Sequence, residues 1–152
     1  MVLYIDIDGT LIMTSERHLQ SGTYETGLGC LEFLRYATQN FDCRWLTFHA
    51  RRGYINNVSR VFREALRVHT LPDDWRAILD KIQPAPWSAT KTDGIDFTRD
   101  FAWIDDDVSL HDQSILADKN MTDRWIKAHL NHFPPDLFRI QEILEERRVV
   151  TP

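Results

Sequence analysis

The sequence predicts an α/β fold, a parallel sheet in three layers with helices on both faces. Two observations predict it: short apolar β-prone runs alternate with segments of helical periodicity, and several of those runs stop abruptly at polar or acidic residues. In such a sheet the carboxyl ends of the strands share one edge, and ligands bind where the connections part.

The first run, "VLYI" (2–5), is apolar at every position and stops at charge, as a central strand buried on both faces does. Leu28, Leu31, Leu34, Ala37 and Phe41 follow at helical spacing, and "FDCRWLTF" then supplies a second strand ending near Thr47. Ile55, Val58, Val61, Phe62, Ala65 and Leu66 mark one face of a second helix. Trp75, Ile78, Leu79 and Ile82 mark a third, which begins beside Pro72. The stretch 70–90 has room for a short strand masked by that periodicity. "FAWI" (101–104) is a further strand and "RWIKAHL" (124–130) another candidate. Leu137, Ile140, Ile143 and Leu144 form a last helix opened by Pro134 and Pro135. The rhythm is that of a Rossmann-like sheet.

At 152 residues the chain fits one domain, 1–152, with a single core. Its 43% hydrophobic and 27% charged residues are those of a folded protein. The net charge of −5 and the lack of any basic run leave polyanions to be gripped locally by a few cations, so nucleic acid enters only as a substrate. No window approaches the ~18 apolar residues of a membrane span, and no cleavable leader opens the chain, which together imply a cytoplasmic protein with no membrane partner. Cys30 and Cys43 form no CxxC pair and read as packed thiols. Trp87 and Trp103 read as core residues before stacking platforms.

The strand ends carry the chemistry. "DIDG" places Asp6 and Asp8 directly after the first strand, Thr47 closes the second, and Asp105, Asp106 and Asp107 close the "FAWI" run. On one edge of a parallel sheet these acids converge although they are distant in sequence, and their mutual repulsion calls for a counter-ion. A ligand set made of oxygen alone calls for a hard divalent cation, and magnesium (Mg2+) is the natural choice. Gly9 lets the backbone turn sharply and approach a ligand closely.

In this order the parts resemble one family. "DIDGTL" after a first strand, a strand ending in Thr47, Lys91 ahead of another strand, and "WIDDD" at that strand's end are similar to the four motifs of the haloacid dehalogenase superfamily, most of whose members are magnesium-dependent phosphatases. The similarity spans residues 2–107. Its first motif is highly specific, whereas Thr47 and Lys91 gain weight only from their order.

The resemblance implies a phosphohydrolase in which Asp6 attacks phosphorus to form an aspartyl-phosphate and Asp8 acts first as acid and then as base. It implies that Thr47 and Lys91 steady the phosphoryl charge. It also implies a metal held by Asp6, by Asp8 through its main-chain carbonyl, by Asp105, and by Asp106 directly or through water. Three consecutive acids admit more than one register, and Asp107 ranks behind the other two. Gly9 and Thr10 in the first motif, and Phe48, His49 and Arg51 after Thr47, are the candidate substrate-binding residues. Arg52 is a further cation beside them.

The intervals between the motifs are consumed by helices that the sheet needs. No large cap fits, and the site is expected to be open to a bulky or macromolecular phosphoester. The resemblance implies that residues 12–27 form a short turn and flap, placing Arg17, His18 or Tyr24 near the entrance. Two other classes compete with this reading. One is a phospho-accepting receiver domain, against which the position of Lys91 before the second acidic cluster speaks; the other is a binding module that keeps the fold without turnover.

Overall fold

The computed structural model describes residues 1–14 and 20–150 of the chain, without the side chain of Val150. Five strands form a parallel sheet: β1 (Val2–Ile5), β4 (Asp42–Trp45), β5 (Gln83–Pro84), β6 (Phe101–Asp105) and β7 (Trp125–Lys127). Their order across the sheet is β5-β4-β1-β6-β7, which puts β1 at the centre. A separate antiparallel pair joins β2 (Ile12–Met13) to β3 (Glu25–Thr26). Arg17 and His18 lie outside the described residues.

Five α-helices occur among the described residues: α1 (Cys30–Asn40), α2 (Asn56–Leu66), α3 (Asp73–Leu79), α4 (Leu110–Asp118) and α5 (Asp136–Val150). The two-residue alternation of β1 divides them between the faces. Leu3 and Ile5 join the apolar cluster that holds Phe33 and Leu34 of α1, Phe62 of α2, Trp75 of α3 and Ile140 and Leu144 of α5. Val2 and Tyr4 join the opposite cluster, with Trp103 and Leu116 of α4. One face is thus roofed by four helices and the other by α4 with the irregular segment around Trp87 and Ile95.

The short strand masked in 70–90 is β5, at the edge of the sheet, where Pro84 lacks an N–H at little cost. Its neighbour Ala85 supplies the bond instead, donating its N–H to the Trp45 carbonyl at 2.9 Å. Trp87 and Trp103 are both buried, and both cysteines are buried free thiols. Burial pushes the Cys43 thiol up to about 12, so it is inert at neutral pH.

Two expectations need correction. Leu28 is 61% exposed, because the chain reaches α1 through a left-handed turn at Gly29 and the buried stripe is Cys30, Phe33, Leu34 and Ala37. Ile55 precedes α2 and is also exposed. Helix α4 carries no amphipathic pattern that announces it: Leu110 is 84% exposed, and only Asp112 and Leu116 are buried. No described helix is long and apolar enough to cross a membrane.

Candidate active site

The geometry at the sheet edge follows from the register of β1 and β6. Ile5 pairs with Ile104, and the Asp6 N–H donates to the Ile104 carbonyl at 3.0 Å, so Asp6 and Asp105 emerge side by side. By alternation both side chains continue the face of Tyr4 and Trp103, the face roofed by α4. Asp106 joins them: one carboxylate oxygen from each of Asp6, Asp105 and Asp106 lies within 4.8 Å of the other two. Asp6 and Asp105 are buried and Asp106 is half-buried, whereas Asp107 is exposed and donates its N–H to Asp105 Oδ1 at 3.1 Å.

Lys91 enters from the same face. It opens a 3₁₀ turn, Lys91–Gly94, that a reciprocal Thr90–Asp93 cap closes. Backbone and side-chain donors from Thr90, Ser88 and Ala89 hold the Asp93 carboxyl down at about 2. Behind Lys91, the buried Asp112 of α4 accepts from the Thr92 N–H at 3.0 Å, the Thr92 hydroxyl at 2.7 Å and the Ser109 hydroxyl at 2.6 Å. Nothing in the sequence pattern singles out Asp112, yet it ties the lysine turn to α4.

The Lys91 ammonium sits 2.6 Å from Asp105 Oδ2 and 3.1 Å from Asp6 Oδ1. The Trp103 indole also donates to Asp105 Oδ2, at 3.0 Å. Three carboxylates against one ammonium still leave negative charge in excess. Burial foremost, and then the neighbouring charge, therefore raises the proton affinity of Asp6 and Asp105 and pushes Asp106 up to about 6. Burial works against the Lys91 charge, but Asp6 and Asp105 outweigh it and raise its proton affinity above that of an ordinary lysine.

Gly9 makes room for this cluster. Its φ is +72°, and a Cβ there would lie 2.0 Å from Asp106 Oδ2. Thr10 and Thr47 are fully buried, and neither hydroxyl has a hydrogen-bond partner, although burial normally demands one. Oxygen-only donors and unbalanced negative charge suit the three aspartates to holding a metal ion.

Asp8 is set apart from the trio. Its Oδ2 lies 2.8 Å from His49 Nε2, and that hydrogen bond is the main cause of the raised proton affinity of His49. Phe48 is exposed and meets the Trp87 ring edge-on at 4.9 Å. Arg51 lies over the other part of this arrangement, with its guanidinium 4.4 Å from the centre of the Trp87 ring and donating to the Ser88 carbonyl. Arg52 is exposed.

Two clefts reach these residues. One, of about 420 Å³, is lined by Asp8, Tyr24, His49, Arg60 and Glu64. The other, of about 260 Å³, is lined by Gly9, Asp106, Lys127, His129 and His132. The structure thus brings Asp6, Asp105, Asp106 and Lys91 into one cluster with Gly9 against it, and pairs Asp8 with His49. Family models, curated proteins and solved structures offer no match to this chain.

Proposed function

We propose that the protein is a magnesium-dependent phosphohydrolase of the haloacid dehalogenase type, acting through an aspartyl-phosphate on Asp6. The observation that carries this reading is the convergence of Asp6, Asp105 and Asp106 within 4.8 Å, with Lys91 bridging the first two. Asp6, Asp105 and Asp106, with the Asp8 carbonyl, would hold the ion. When bound, magnesium neutralises the carboxylates and the phosphoryl oxygens that approach them.

In the first step a carboxylate oxygen of Asp6 forms a bond to phosphorus as the ester oxygen leaves, and the proton that the leaving oxygen needs comes from Asp8. In the second, water attacks the phosphorus of the aspartyl-phosphate and gives its proton back to Asp8. Inorganic phosphate and the Asp6 carboxylate result.

His49 holds or yields a proton at Nε2 against Asp8 Oδ2, and so keeps that carboxyl aimed and supplied. Thr10 and Thr47, whose buried hydroxyls lack a partner, are assigned to phosphoryl oxygens by the family resemblance, and Lys91 holds a positive charge beside the nucleophile. With no cap over the cluster among the described residues, positioning falls to the groups around the clefts.

Hydrolysis of a generic aryl phosphate, measured with and without magnesium for the wild type and Asp6→Asn, tests this reading. Magnesium-dependent turnover that the substitution abolishes supports it. Equal rates from the two proteins remove it, and a wild type silent on the aryl phosphate moves the same comparison to phosphorylated nucleotides, sugars, peptides and oligonucleotides.

A further inference from the structure

The cleft that holds Asp8 shares two lining residues, Arg60 and Glu64, with a second groove. That groove, of about 510 Å³, is also lined by Arg63, Arg67 and His69. Arg60, Arg63 and Arg67 recur at three- and four-residue spacing on α2 and the residue that caps it, so they follow one face of the helix. A chain of net charge −5 has therefore gathered three arginines along a groove that shares Arg60 and Glu64 with the cleft of Asp8.

The acids facing these arginines hold them loosely. Arg60 lies 3.7 Å from Glu64 and Arg67 lies 3.4 Å from Glu25, all four side chains being about half exposed or more. Arg63 pairs with no acid among the described residues. Exposed pairs of this kind contribute little, whereas a phosphate takes two parallel N–H bonds from a guanidinium. A phosphate therefore competes well for these arginines against Glu64 and Glu25. From Arg60 to Arg67 the row runs about 10 Å along the helix, longer than one phosphate covers.

We propose that this groove is a subsite for further phosphates, so that the substrate carries at least one phosphate on the leaving-group side of the phosphomonoester that is cleaved. The proposal rests on the phosphohydrolase reading for the place of cleavage. A nucleoside bisphosphate would fill the near end at Arg60, and an oligonucleotide with a terminal phosphate would continue to Arg63 and Arg67.

The test compares a nucleoside bisphosphate and a short terminally phosphorylated oligonucleotide with the matched nucleoside monophosphate. KM is measured for hydrolysis by wild type and variants, and Kd for the same compounds on Asp6→Asn with and without the second substitution. Arg60→Ala is expected to weaken both multiply phosphorylated ligands at least about tenfold more than the monophosphate, about 1.4 kcal/mol or more. Arg63→Ala is expected to act on the oligonucleotide, whose affinity should fall steeply with salt. Arg76→Ala, which removes an equal charge from α3, serves as the control for net charge.

An Arg60 effect confined to the bisphosphate assigns the subsite to small ligands, and one confined to the oligonucleotide assigns it to a chain. Equal weakening of all three ligands, or no effect of Arg60→Ala, overturns the subsite. Arg60-dependent binding without hydrolysis by the wild type overturns the phosphohydrolase reading and leaves the subsite standing. Magnesium-dependent hydrolysis without Arg60-dependent binding does the reverse.

Discussion

Lys91 bridges Asp6 and Asp105, with its ammonium 3.1 Å from one carboxylate and 2.6 Å from the other, in a site where both acids are buried. It is the cation that lets two distant strand ends carry acids side by side. Replacing it leaves like charges facing each other with no internal counter-ion. Lys91→Met should lower the stability of the metal-free protein at neutral pH by about 3 kcal/mol, read in urea melts. Magnesium should raise the Tm of the variant more than that of the wild type, and kcat should fall at least about a hundredfold.

Gly9 is needed for a steric reason that can be checked on its own. Its backbone is left-handed, and a methyl group there would overlap the Asp106 carboxylate. Gly9→Ala should destabilise the fold by about 1–3 kcal/mol and weaken magnesium binding, measured by calorimetric titration. Unchanged affinity would remove Asp106 from the ion's ligands.

Asp112 acts at a distance from the substrate, through Thr92 and the turn that begins with Lys91. Burial pushes its proton affinity up, but hydrogen bonds from Ser109 and Thr92 outweigh this and hold it below the usual carboxylate range. Asp112→Ala should cost about 1–3 kcal/mol, because the buried Thr92 donors lose their acceptor. A positioning role predicts a lower kcat with little change in KM, and partial rescue by Asp112→Asn, which keeps one acceptor oxygen.

The acidity of Asp106 gives a pH dependence with a definite sign. Its proton affinity is raised in the fold from an ordinary 3.8 to about 6, so the folded chain holds this proton where the unfolded chain has lost it. The resulting stabilisation of the metal-free protein is complete below about pH 4 and is lost as pH rises through about 6. Magnesium competes for the same oxygens. Its apparent Kd should therefore rise as pH falls through about 8, where Asp105 takes up its proton, and more steeply below about 6, where Asp106 does, and the magnesium-induced rise in Tm should shrink in parallel. Affinity that stays constant between about pH 5 and 7 would contradict the assignment of Asp106.

Much of this arrangement was legible in the sequence because it rests on period and punctuation. Apolar runs that end in acids mark parallel strands, and alternation along them sets which side chains share a face; Asp6 and Asp105 could be brought together on that basis, and Lys91 only through the order of the motifs that the chain resembles. The remainder depends on tertiary contact. Helix α4 has almost no buried stripe, since it is held through Asp112 as much as through apolar packing, and periodicity has nothing to register there. β5 is two residues long and contains proline, so only its pairing with β4 defines it. Leu28 sits at helical spacing but lies outside α1, because the turn at Gly29 sets the start of the helix. The bond between His49 and Asp8 joins residues on different strand ends by a rotamer choice that no spacing encodes.

The central claim is that Asp6 receives a phosphoryl group beside an ion held with Asp105 and Asp106. A crystal grown with magnesium and beryllium fluoride, which mimics a phosphoryl group on a carboxylate, tests it most directly. The account predicts fluoroberyllate on an oxygen of Asp6, with magnesium between Asp6, Asp105 and Asp106 and the Lys91 ammonium alongside. An adduct on Asp8, or an ion bound away from Asp105, would contradict it.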